Sequence, residues 1–412
     1  MRSRDILLQG RILFASSLYS MAANMAFNMF MSRRLGVVDY GVLGSLLSVF
    51  LVISIPLQTF QTVLTKAVAH IAGQNRQRIL SSLHGHAWLW VFWIGLGVMA
   101  VGAASRIPLS KFLHLDRPVL VLCVSLMIVV ALASTLIKAF LQGTQHFDQL
   151  GHMVILETTM RLGFGIFLVS AGWSVAGAVL SSPFGSLGGI ALGFLFLSVV
   201  CRPLMTLRQP PPIREHLTYA LPVAVSLFLY TWLTTSDVAF VRHWFPGEEA
   251  GFYSAASAVG KIFLYGPNML TSYMFPKAAF MHSRNEDVRH LLKKTLQLGN
   301  YVIFGSFAVC VLASPYLVSL LFGSQYGETA HLLPFYALAM LPMAFNWIFI
   351  NYFLAVGRYD FLWGMAFSVV VFCLGFAFFH GSVWEMIAVV GASGFLLLVW
   401  NVLLLKMKRR RA

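Results

Sequence analysis

The feature that most constrains this chain is its rhythm of apolar stretches about 20 residues long, separated by short polar loops. Each stretch is long enough to cross roughly 30 Å of hydrocarbon as an α-helix. Only 10% of the 412 residues are charged, against 58% hydrophobic. A soluble domain would carry about 25% charged residues, and a membrane β-barrel would alternate apolar and polar residues in short segments. The chain therefore reads as an all-α polytopic membrane protein. The charged opening "MRSRDILLQGR" leads into a long apolar run with no small-residue cleavage site, so the first run reads as a retained span.

About twelve spans are expected, at 12–32, 42–63, 87–105, 118–138, 152–171, 175–200, 220–241, 251–274, 296–322, 332–354, 361–380 and 386–405. With the N-terminus in the cytoplasm, about 21 of the 29 lysines and arginines fall in inner segments, Lys66 and Lys138 among them. That bias predicts both termini cytoplasmic and explains the net charge of +15 without nucleic acid. Trp173, Trp244 and Trp384 then fall at the outer interface, where indole rings are favoured. Cys123, Cys201, Cys310 and Cys373 are far apart and read as packing residues. No metal spacing, Walker motif, GxGxxG, HExxH or GxSxG is present, so no cofactor, metal, ATP hydrolysis or catalytic residue is expected.

The loop "CRPLMTLRQPPPIREHLTY" carries three consecutive prolines, which makes it stiff. It divides the chain into an N-terminal lobe of six spans (1–200), a linker (201–219) and a C-terminal lobe of six spans (220–412). The lobes read as repeats. "RRLGVVDYG" from Arg33 is echoed by "RHWFPGEEAGFYS" from Arg242, and Gly41 aligns with Gly251, each two positions after an acid, Asp39 or Glu249. The preceding spans carry Ser17, Ser20, Asn24 and Asn28, and Ser226, Tyr230, Thr234 and Asp237, each set on one helix face. Parallel repeats of this kind commonly flank a transport pathway.

Ionisable residues at membrane depth need a partner or a wet cavity. Lys261 falls near mid-depth on a predicted polar face with Ser254, Ser257, Asn268 and Ser272; it either lines a cavity for an anionic substrate or pairs with Asp237. Arg161 either pairs with Glu157 one turn before it or faces a cavity, where guanidinium suits phosphate. Asp237 is a candidate for carrying a coupling proton or Na⁺, or else the counter-ion of Lys261 or Arg242. Asn24 and Asn28 are candidates for substrate contact or for interhelical hydrogen bonding, and Asn346 and Asn351 read as interhelical bonds. "HGH" at His84–His86 reads as an interface segment before the third span, and "GIALG" at Gly189–Gly193 as a site of close helix packing. "SRNEDVRHLLKKTL" reads as an amphipathic helix on the inner leaflet.

Two elements, Arg34-Leu35-Gly36 with Tyr40-Gly41 and Ala250-Gly251 with Tyr253-Ser254-Ala255, together with twelve spans in two halves, resemble the polysaccharide transporter family of bacterial lipid-linked oligosaccharide flippases. The resemblance implies the fold of multidrug and toxin extrusion transporters and murein-precursor flippases: two six-helix lobes around a central cationic cavity. It implies a lipid-linked oligosaccharide substrate, an undecaprenyl-pyrophosphate-linked O-antigen or exopolysaccharide repeat unit, flipped across the bacterial inner membrane by alternating access and an ion gradient. Arg161 and Lys261 suit such a cavity by charge and depth. Membrane lipids, a glycan polymerase and other assembly proteins are the partners this implies. Other readings are a multidrug cation exporter of the same fold, a scaffold in a glycan-assembly complex, and a polymerase or ligase, for which the outer loops are too short; the expectation is a transporter, not an enzyme.

Overall fold

The computed structural model describes residues 3–74, 77–200, 214–283 and 286–407. Cys201, most of the Pro-rich loop and Arg284 lie outside the described residues. Among the described residues the chain is helical, without strands. Helix α1 spans Ser3–Ile53 and folds back at Gly36, whose φ of 79° is one that only glycine takes at little cost. It is followed by α2 (Ile55–Gly73), α3 (Gln77–Phe112), α4 (Val119–Gly143) and α5 (Phe147–Leu168). A π-helical turn with Gly172 at φ 88° leads into α6 (Ser174–Val200). Then come α7 (Arg214–Thr235), α8 (Asp237–Trp244), α9 (Glu248–Gly260), α10 (Tyr265–Ser283), α11 (Arg289–Leu312), α12 (Ser314–Leu321), α13 (Gly327–Ala355), α14 (Phe361–Phe378) and α15 (Val383–Met407).

Nine stretches among the described residues are long and apolar enough to cross a membrane. Ala15–Gly73 at 59 residues and Phe147–Leu197 at 51 are each too long for one crossing at about 1.5 Å per residue, and they fold at Gly36 and Gly172. Folded there, the nine stretches account for eleven of the twelve expected crossings, and the remaining expected span, 251–274, is the broken pair α9–α10, which is not among the nine. Large apolar side chains lie on their outer surfaces: Trp93, Val101, Leu195, Phe367 and Phe378 are all at least 60% exposed. Hydrocarbon, not water, is the solvent such a surface fits. Trp173, Trp244 and Trp384 are likewise exposed.

Contacts divide the chain into two compact units. One comprises Met1–Asp39 with Ile53–Ala224; the other comprises Tyr40–Val52 with Val225–Ala412. In the first, α6 packs on α5 and α4, and α4 packs on α2 and α3. The GIALG glycines allow this: a methyl on Gly193 would land 2.5 Å from Ile137, and one on Gly189 3.2 Å from Glu157. In the second, α13 is the hub, packed against α9, α10, α11 and α15.

The repeated hairpins meet inside the second unit. A methyl on Gly41 would land 2.8 Å from the backbone nitrogen of Gly251, and one on Gly44 2.8 Å from Ser254 Oγ. The two glycines aligned in the sequence therefore touch one another, backbone to backbone.

Several local expectations are corrected. The eighth span is not one helix: α9 stops at Gly260, Ile262–Leu264 form a 3₁₀ turn, and α10 begins at Tyr265. Pro267 has no N–H to offer the preceding turn, which weakens the helix here. The polar face drawn from Ser254 through Ser272 is interrupted at Lys261. The His84–His86 segment is already inside α3, with His84 buried and accepting a hydrogen bond from Trp88 Nε1 at 3.0 Å. The basic "RHLLKK" segment is the first turns of α11, not a separate helix; Leu291 and Leu292 are buried while Lys293 and Lys294 are exposed. Of the two tenth-span asparagines, Asn346 bonds across helices to Gly394 O and Asn401, but Asn351 bonds within its own helix to Trp347 O.

Candidate functional site

Each unit holds a cluster of ionisable side chains within its membrane helices. In the first unit the cluster lies where α1, α4, α5 and α6 meet. Polar residues recur along α1 and α5 at helical spacing and pair across: Tyr19 with Thr159 at 2.7 Å, Ser20 with Thr158 at 3.2 Å, and Asn24 with Arg161. Arg161 Nη1 donates to Asn24 Oδ1 at 2.7 Å, and the guanidinium lies 4.5 Å from the centre of the Phe27 ring. Asn24 and Asn28 also donate to the carbonyls one turn back, Ser20 and Asn24. Gly185 of α6 lets α5 approach at this level, since a methyl there would land 2.6 Å from Glu157 O and 2.8 Å from Arg161.

The internal Glu157–Arg161 pair that the spacing allowed does not form. Glu157 Oε2 pairs with Lys138 at 2.6 Å and accepts from Ser134 at 3.4 Å, and its Oε1 accepts from Ser186 at 2.5 Å. Lys138, read as an inner-segment residue, lies inside α4 and takes the carboxylate. Geometry decides this, because α4 crosses α5 on the Glu157 side while Arg161 turns to α1. Among the described residues Arg161 has no ion pair, and its Nε is shut off from solvent without a partner. The cluster of Lys138, Glu157 and Arg161 thus carries one net positive charge; Arg161 itself touches a neutral amide and an aromatic face, with the Glu157 carboxylate acting on it only from beyond ion-pair distance. A cation over a ring contributes about 0.5–2 kcal/mol, well short of replacing a counter-ion.

In the second unit Asp237 is the centre. It is fully buried at the start of α8, just past a break where Ser236 Oγ bonds back to Trp232 O at 2.5 Å. Back-bonding by serine and threonine bends helices, and "TTSD" concentrates it here. Asp237 Oδ1 pairs with Lys261 Nζ at 3.1 Å. Its Oδ2 accepts from Tyr336 at 2.7 Å and from Tyr253 at 3.0 Å. Tyr336, its proton committed to the carboxylate, accepts in turn from Ser257 at 3.1 Å. Of the two readings open for Lys261, the pairing with Asp237 is the one present. Both partners sit at helix breaks, α7–α8 and α9–α10.

The structure therefore brings Arg161 and Asn24 together, with Asn28 one turn on, and separately joins Asp237 to Lys261. Sequence reasoning missed Lys138, Tyr253 and Tyr336. Tyr253 lies in the repeated "GFYS" element, so a signal existed. Nothing in the spacing of α13 marks Tyr336, and only the packing of α13 on α9 makes it a ligand of Asp237.

The fold is that of helical membrane transporters of the multidrug/oligosaccharidyl-lipid/polysaccharide class. The chain aligns with a multidrug resistance MATE family transporter of the MOP superfamily at a TM-score of 0.80, with 12% identity over 95% of this chain and 96% of that one. It aligns with the lipid II flippase MurJ at 0.70, with 11% identity over 96% and 87%. A MOP superfamily transporter from Pyrococcus furiosus, described as having a binding pocket of reversed polarity, aligns at 0.65, with 14% identity over 96% and 94%. Among curated proteins, none matches. The sequence pattern of the family described as "Polysaccharide biosynthesis protein" matches residues 30–331, nearly three quarters of the chain. The chain belongs to that family.

Proposed function

We propose that this protein is a flippase that moves an undecaprenyl-pyrophosphate-linked oligosaccharide, an O-antigen or exopolysaccharide repeat unit, across the bacterial inner membrane, with both termini in the cytoplasm. Family membership and fold support a transporter in polysaccharide biosynthesis. The observation that carries the substrate class is Arg161: a guanidinium within the membrane helices that, among the described residues, makes no ion pair and keeps unspent donors. A diphosphate cannot enter hydrocarbon without replacement of its hydration. Guanidinium meets phosphate oxygens through paired N–H donors, and Asn24, with Asn28 one turn further along α1, would extend the polar contact from Arg161.

Asp237 and Lys261 form the coupling element in this reading. A proton or Na⁺ arriving at Asp237 Oδ1 replaces Lys261 as its partner, so the ion pair opens and the ammonium becomes available to the anionic substrate. Transport then proceeds by alternating access, driven by the ion gradient. A multidrug cation exporter of the same fold would want an available carboxylate in the first unit; Glu157 is already held by Lys138, Ser134 and Ser186.

The test is transport by the purified protein in liposomes carrying a lipid-diphosphate-linked glycan, with a proton or Na⁺ gradient imposed and the leaflet of the glycan head scored. Wild type moves the head with the gradient, whereas Arg161→Ala abolishes movement with its unfolding temperature little changed. Full transport by Arg161→Ala would remove its assigned role. Export of drug cations in place of the glycan would turn the reading to the exporter.

A further inference from the structure

A second polar feature of the first unit is not used by either charge cluster. Along α2, Gln58, Gln61, Thr62, Thr65 and Lys66 recur at helical spacing on one face, while Leu57, Val63, Leu64, Ala67 and Val68 are buried on the other. Gln142, at the last turn of α4, faces them, and together they line a pocket of about 410 Å³. That volume lies within the range of about 300–1,000 Å³ typical of small-ligand sites.

The lining is more than a solvated end of a helix. Thr59 and Thr62 return their hydroxyls to carbonyls one turn back, Ile55 and Gln58, at 3.1 and 3.0 Å. Thr65, one turn further, does not: among the described residues its Oγ1 has no partner, and it is closed off from solvent. A buried hydroxyl left unsatisfied costs about 1–3 kcal/mol. Gln61 Nε2 reaches Gln142 Oε1 only at 3.4 Å, a long contact between two amides that both line the pocket. Amides and hydroxyls donate and accept at once, as sugar hydroxyls do. Among the described residues no carboxylate lines the pocket and Lys66 is the charged one, a lining compatible with neutral or acidic sugars and adverse to basic ones.

We propose that this pocket between α2 and α4 is a glycan subsite that holds sugar hydroxyls of the translocated head group, a site distinct from the Arg161 cluster. The inference rests on the flippase reading and specifies which part of the substrate this face takes.

The experiment uses the full-length protein in lipid nanodiscs and two probes. One is the pool of lipid-linked oligosaccharides extracted from the protein's own host; the other is undecaprenyl pyrophosphate without sugar. The pair Gln61→Leu/Gln142→Leu removes the two facing amides, and Thr62→Val alters one exposed lining group with little risk to folding. The double variant is expected to lose about tenfold in affinity for the glycan-bearing lipid, with affinity for the bare lipid unchanged, and Thr62→Val to show the same selectivity to a smaller extent. Unchanged affinity of both variants for the glycan-bearing lipid, or an equal loss for both probes, overturns the pocket and leaves the flippase reading standing. Wild-type protein that binds neither probe overturns the flippase reading and the pocket together.

Discussion

At the scale of single residues, the two units treat their buried charges in opposite ways. Asp237 satisfies both oxygens and discharges Lys261, while Arg161 keeps its charge. Replacing one member of a buried pair strands the other, at a cost of about 3–5 kcal/mol. Lys261 retains a fifth of its side-chain exposure, so the lower end applies. Asp237→Asn should therefore lower the unfolding temperature in detergent markedly. Asp237→Asn combined with Lys261→Met should recover most of that loss, since no charge is then stranded. Equal destabilisation by the single and double variants would mean that the pair is not what holds α8 to α9. Arg161→Ala, by contrast, breaks no ion pair among the described residues and should alter function far more than stability. The contrast was only half legible in the sequence. Depth and residue type marked Arg161, Lys261 and Asp237, but the choice of partner depended on which helix crosses at which level, as the capture of Glu157 by Lys138 illustrates.

At the scale of elements, glycine sets where helices touch. The approach of Gly41 to Gly251 leaves no room for a side chain. Gly41→Val should force the two backbones apart at a cost of about 1–3 kcal/mol, the usual penalty for overpacking. It should be read as a lowered unfolding temperature alongside changed transport; a variant as stable as wild type would mean that the crossing is looser than this. Gly193→Leu should act similarly on the first unit through Ile137, without touching the second. The breaks at Ser236 and Lys261 follow another logic. Hydroxyl back-bonding weakens α7 at its end, and Pro267 weakens the helix beyond Lys261. Hydropathy sees only an apolar run at each place, so each was expected to be one straight span.

At the scale of the whole molecule, the orientation can be tested directly. The bias of lysine and arginine predicts that a fluorescent protein fused after Met407 is fluorescent in the cytoplasm, whereas alkaline phosphatase inserted at Pro246–Gly247, the turn between α8 and α9, is active outside. A dark fluorescent protein after Met407 together with an inactive phosphatase at Pro246–Gly247 would invert the topology and, with it, the side from which the α2–α4 pocket is reached.

The sequence by itself determined that this is a helical membrane protein of about twelve crossings, since span length and the scarcity of charge are one-dimensional properties enforced by the thickness of the bilayer. It also exposed the repeated hairpin, because the glycines at 41 and 251 recur in a matching local pattern. It could not say that those glycines meet, that Glu157 belongs to Lys138 and Lys261 to Asp237, or that Tyr336 completes the Asp237 site. Those are properties of helix crossings between segments distant in the chain. Buried charge accepts whichever partner packing brings within hydrogen-bond reach, and only the tertiary structure makes that choice.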